Sequence, residues 1–72
     1  MPIAQIKVIE GVFSGAEKRQ MLEKVTEALI SVEGEGIREK TFVLIEEIKS
    51  GDWGIGGRAI TTEDVKNLRA SQ

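Results

Sequence analysis

Residues 40–48 read Lys-Thr-Phe-Val-Leu-Ile-Glu-Glu-Ile, and this run decides the fold. Side chains of an extended chain alternate sides, so Phe42 and Leu44 face one way and Val43 and Ile45 the other. A strand that is apolar on both faces belongs in a sheet covered on both. Residues 2–10, Pro-Ile-Ala-Gln-Ile-Lys-Val-Ile-Glu, read as a preceding strand. It has Ala4, Ile6 and Val8 on one face, Ile3, Gln5, Lys7 and Ile9 on the other, and Gly11 ends it. Between the two strands, Ser14-Gly-Ala-Glu17 is a capping box, in which Ser14 satisfies an orphan helix N–H and Glu17 reaches back. The helix it opens runs to about Val32, with Met21, Leu22, Val25, Ala28, Leu29 and Val32 as its apolar stripe. Gly34 and Gly36 close the helix, and residues 37–39 connect it to the strand at 40–48.

Strand, helix and strand in this order predict a parallel pair joined by a right-handed crossover, an α/β (α+β) subunit. One helix covers one face of such a pair, so the other face must meet another subunit. Residues 49–57 hold four glycines around Asp52, Trp53 and Ile55 and read as a turn or short hairpin. Thr61-Thr-Glu-Asp64 reads as the cap of a short helical turn. The expectation is a single domain over residues 1–72, with its core in 2–60 and a partly frayed C-terminal segment over 61–72.

A chain of 72 residues is short enough to need disulfides, a metal or oligomerisation for stability. It has no Cys and no His, which removes disulfides, most zinc chemistry and every Cys/His or Ser/His catalytic arrangement. Ten Lys and Arg against twelve Asp and Glu give a net charge of −2. The charges are interspersed, so nothing resembles the clustered cations of a nucleic-acid surface. No apolar run approaches the roughly 20 residues of a membrane span and no signal peptide precedes the first strand, so the expected location is the cytoplasm.

Pro2-Ile-Ala-Gln-Ile6, Ile9-Glu10-Gly11, Glu17-Lys18, Val25-Thr-Glu-Ala28 and Trp53-Gly-Ile-Gly-Gly57 form a collinear set from Pro2 to about Ala59. Together they resemble the 4-oxalocrotonate tautomerase family of the tautomerase superfamily. The resemblance implies a β-α-β subunit with a short C-terminal hairpin, in a tautomerase/MIF-like oligomer whose dimers assemble into a hexamer, a trimer of dimers. It also implies an isomerase in which the N-terminal proline moves a proton between carbon and oxygen of an enol or keto acid, as in aromatic catabolism, with no metal or organic cofactor. Met1 must first be removed, because Pro2 within a peptide bond is a tertiary amide with no basic nitrogen.

The chemistry of Pro2 has its own rationale. An α-amine titrates near pH 8, and an apolar pocket moves it toward neutrality, where a general base works best. The bland alternative is a proline that simply starts an edge strand. Trp53 stands where the family has an aromatic beside the proline, suited to exclude water, although a lone Trp also serves as a packing anchor. Ile9 and Ile55 match apolar pocket-lining positions, with core packing as the alternative. The family binds its dicarboxylate substrate through two arginines, and at those positions this chain has Val12 and Phe42. A buried carboxylate without a cation is costly, so the apolar replacements point to an aryl or alkyl enolpyruvate. Lys40 and Arg38 are the nearest replacement cations and Arg58 and Lys7 more remote ones, each with an ordinary surface role as the alternative. The glycine turn lacks the Lys-Ser/Thr of a phosphate loop, and Glu46 and Glu47 face opposite ways and make no acid pair. Two other readings stay open: an arginine-lacking subunit that co-assembles with a paralogue, and a hydratase or dehalogenase using the same amine.

Overall fold

The computed structural model describes residues 1–71. Its centre is the pair β1 (Ile3–Ile9) and β2 (Phe42–Ile48), parallel and in register from Ile3 opposite Phe42 to Ile9 opposite Ile48. The crossover is α1 (Gly15–Glu33), opened by the expected capping box: Glu17 N–H donates to Ser14 Oγ at 3.1 Å, and Ser14 N–H to Glu17 Oε1 at 2.9 Å. Pro2 has no N–H for the ladder, yet its carbonyl accepts from Phe42 N at 3.1 Å.

Ile6 shares a small cleft with Met21 and Val25 of α1, so the Ala4-Ile6-Val8 face is the one the helix covers. On the opposite face Ile3 is 65% exposed, Leu44 50% and Phe42 41%, an apolar surface that nothing among the described residues covers. The helix stripe needs correction at two positions, the first being Ala28, which is exposed. Val32 is 89% exposed, and Ile30 is buried instead. The two lie about 160° apart round a helix, so only one can face the sheet.

The connection differs too. Residues 35–40 wind into a short 3-10 helix (Glu35–Lys40), and the strand expected from Lys40 starts at Phe42. Arg38 donates to both Glu35 and Glu27, and Thr41 Oγ1 donates to the Ile37 carbonyl at 2.9 Å and to Glu33. Thr41 N–H donates to the Arg38 carbonyl at 3.2 Å, a turn bond that delays entry into the ladder until Phe42.

Beyond β2 the chain forms the hairpin of β3 (Trp53–Ile55) and β4 (Arg58–Ile60), with Trp53 opposite Ile60. Gly56 and Gly57 form its two-residue loop, both at positive φ, as a primed turn requires. Then comes α2 (Thr62–Ala70). It is a nine-residue helix where a short turn in a frayed segment was expected; residue 72 of that segment lies outside the described residues. The Thr61–Asp64 capping box is present in both directions, at 3.2 and 3.0 Å. Val65 packs on the buried cluster of Ile9, Val12 and Ile60, together with Phe13 and Trp53. Thr62 Oγ1 donates to the Glu10 carbonyl at 2.6 Å, Ser50 N–H to the Glu10 carboxylate at 2.9 Å, and Thr62 N–H to Ser50 Oγ at 2.8 Å. Gly11 permits this closeness: its φ is +76°, and a Cβ there would sit 3.3 Å from Thr62 Cγ2. Hairpin and α2 thus close over the C-terminal end of β1.

Candidate active site

Two features sit at opposite ends of β1. At its start Pro2 is half-buried beside Phe42, with Lys40 exposed just before. At its end lies a cavity of about 640 Å³ between β1, the hairpin and α2. Ile9, Trp53 and Ile55 line it, joined by Phe13, Ile60, Val65 and Leu68. Six residue steps separate Ile3 from Ile9, about 20 Å of strand. The structure therefore brings Ile9, Trp53 and Ile55 together, and places Pro2 and Phe42 together, but does not join the two groups within one chain. Val12 lines neither; it is buried in the core, and its carbonyl accepts from Arg69 at 3.2 Å.

The candidate cations also separate. Arg38 spends its guanidinium on Glu27 and Glu35 through four hydrogen bonds, which raise its pKa and tie the 3-10 helix to α1. Arg58 and Lys7, in contrast, are on the cavity wall. Their ion pairs are loose: Arg58 to Asp64 is 3.9 Å and Lys7 to Glu46 is 3.7 Å, both beyond hydrogen-bond length. Among the described residues Asp64 is the only carboxylate lining this cavity, and it is already committed. The Thr61 backbone N–H, then the Thr61 hydroxyl, hold its carboxyl below the usual range, with Arg58 adding a smaller push.

Phe13, Val65, Leu68 and Asn67 line the cavity without having been singled out from sequence. A signal for two of them was present: behind the Thr61 cap, Val65 and Leu68 stand three residues apart, one face of a helix.

The sequence profile described as "Tautomerase enzyme" matches residues 2–63. The chain is 31% identical over 61 residues to probable tautomerase K2 of Dickeya dadantii, covering 85% of this chain and 90% of that one. To the 2-hydroxymuconate tautomerase of Pseudomonas putida it is 40% identical over 57 residues, 79% of this chain and 87% of that one. Among solved structures, a 4-oxalocrotonate tautomerase isozyme from Methylibium petroleiphilum superposes with a TM-score of 0.72 at 36% identity, covering 89% of this chain and 97% of its own. The β-α-β pair, the glycine-tipped hairpin and these matches agree, and the chain belongs to the tautomerase family of isomerases.

Proposed function

We propose that this tautomerase isomerises a 2-hydroxydienoate- or enolpyruvate-type acid, with the amine of Pro2, freed by loss of Met1, as its general base. The observation that carries this reading is the position of Pro2. Its carbonyl accepts from Phe42 N–H in the β2 ladder, while its nitrogen has no part in that ladder. The half-buried position of Pro2 favours the neutral amine. The amine takes the proton of the enol hydroxyl, leaving a delocalised enolate, and returns a proton to carbon to give the keto acid. Enolate and carboxylate charge need donors or cations nearby. Arg58 and Lys7 suit that role best, because their own ion pairs are loose.

The 20 Å between Pro2 and the Trp53–Ile55 cavity makes the site a shared one. Two protomers related by an axis perpendicular to β1 run those strands in opposite directions, bringing one Pro2 toward the partner's cavity. The uncovered face of Ile3, Phe42 and Leu44 supplies apolar surface for such an assembly. A hexamer of this chain is the assembly we favour. Apolar Val12 and Phe42 in place of the family's arginines favour an acid with one carboxylate and an apolar body. Hydration or dehalogenation fits less well, since those reactions need a carboxylate to activate water and the depressed pKa of Asp64 makes it a poor base.

The test is acetylation of the processed N-terminus, with keto–enol isomerisation followed by ultraviolet absorbance. Loss of at least about a hundredfold in kcat/KM is expected for a missing general base. Undiminished turnover would remove Pro2 from the reaction. Because Val12 and Phe42 replace both arginines, a second reading is a subunit that works only beside an arginine-bearing paralogue. Native mass spectrometry and activity of the protein expressed alone separate the two: a stable, active homo-oligomer rules the paralogue out.

A further inference from the structure

The profile match ends at residue 63, and α2 continues to Ala70. Four curated relatives are covered over 87–100% of their own lengths by alignments that use 79–88% of this chain. Most of α2 is therefore an addition to the common domain.

This addition is firmly held. Arg69 Nη1 donates to the Val12 carbonyl at 3.2 Å, its Nη2 donates to Glu17 Oε2 at 2.7 Å, and its guanidinium carbon lies 4.8 Å from the Phe13 ring centroid. Thr62 fastens the other end of α2 to Glu10 and Ser50. One side chain thus joins three groups that lie more than fifty residues away along the chain; it lines the small cleft of Ile6, Met21 and Val25, and its contact Phe13 lines both that cleft and the cavity.

The apolar residues of α2 are then divided. Val65 packs on the core, whereas Leu68, three residues on, is 66% exposed and lines the cavity. Ile55, which lines the same cavity from the hairpin, is likewise 62% exposed. Two large apolar side chains left unburied in the lining of one cavity have unused capacity to contact an apolar ligand group.

We propose that α2 is a specificity wall added to the tautomerase domain, in which Leu68 sets the size of the apolar group that the cavity admits and Arg69 is the positioning residue that latches the wall. The ligand class is a small carboxylic acid with an apolar body, the body between Leu68, Ile55 and Trp53 and the carboxylate toward Arg58. The proposal rests on the reading that this cavity receives the substrate, but not on Pro2 being the base.

Trp53 is the chain's only Trp and lines the cavity, so its fluorescence reports occupancy. The experiment titrates saturated and aryl monocarboxylic acids of increasing size into the N-acetylated protein and its Leu68→Ala, Leu68→Phe and Arg69→Ala variants. In parallel, kcat and KM are measured for the unacetylated proteins with a small and a bulky enol acid. Leu68→Ala should move the preferred size upward and Leu68→Phe downward, each changing the affinity ratio of large to small acid about fivefold or more, a 1 kcal/mol effect. The exposure of Leu68 keeps either change from disturbing the core. Arg69→Ala should raise KM about tenfold for both acids with kcat nearly unchanged. Acids that bind with the shifted order to a protein showing no turnover would still support the wall while overturning the isomerase reading. An unchanged size order in both Leu68 variants, or a Trp53 signal unresponsive to every acid, overturns the proposal.

Discussion

Arg38 and Arg58 carry the same charge into opposite circumstances. Nothing in the sequence distinguishes them, because the partners that neutralise Arg38 include Glu27, eleven positions away on another element. Position along the chain favours Arg38 and Lys40 as carboxylate anchors, and only the fold reveals that Arg58 lines the cavity with its ion pair slack. Replacing Arg58 by Ala should therefore raise KM for an enol acid by about tenfold, the size of one charge-assisted contact, and leave the melting temperature nearly unchanged. Arg38→Ala should do the reverse, shifting thermal unfolding while KM stays within about twofold. A resemblance ties Pro2, Ile9, Trp53 and Ile55 each to a position in the sequence. What linear order hides is that β1 holds Pro2 and the other three at its two ends.

At the scale of elements, the helix starts were the most readable features. Both capping boxes stand in the sequence as four-residue signatures and both are formed. Ser14→Ala should cost about 1 kcal/mol, read from chemical denaturation. Strand faces followed from alternation, but the end of the helix stripe did not: Val32 and Ile30 compete for the sheet, and the crossing path of α1 decides for Ile30. The length of α2 was hidden because only Val65 and Leu68 mark its inner face. Its docking carries a pH signature. Arg69, then Ser14, hold the Glu17 carboxyl down from 4.5 to about 2. A folded-state pKa below the unfolded one stabilises the docked state above the unfolded pKa, and the benefit is lost as pH falls through the folded value. Hydrogen exchange in α2 should accordingly accelerate, relative to the β1–β2 ladder, between about pH 4.5 and 2. Glu17→Gln should flatten that dependence. An α2 that exchanges in step with the ladder over this range would show that the Arg69–Glu17 pair does not hold it.

The whole molecule is too open to be complete alone. Its radius of gyration is 14.7 Å, against about 11 Å for a compact domain of this length. Its surface is 5238 Å², against about 4400 Å² for a compact monomer of this mass. The both-sided apolar pattern of Phe42–Ile45 announced this from sequence alone, since one helix could cover only one side. Leu44→Lys, placed on the uncovered face, should dissociate the assembly in analytical ultracentrifugation and lower the melting temperature. The parent's melting temperature should rise with concentration, as linked assembly requires. The proposed reaction spans all three scales, with Pro2 of one protomer acting on an acid held in the cavity of another. Subunit mixing tests it most directly. N-acetylated protein keeps the cavity and lacks the base; an Ile55→Asp, Trp53→Ala variant keeps the base and lacks the cavity. Co-refolded into mixed oligomers verified by native mass spectrometry, the two should regain isomerase activity well above either parent. Mixed oligomers whose rate stays at the average of the parents would contradict it.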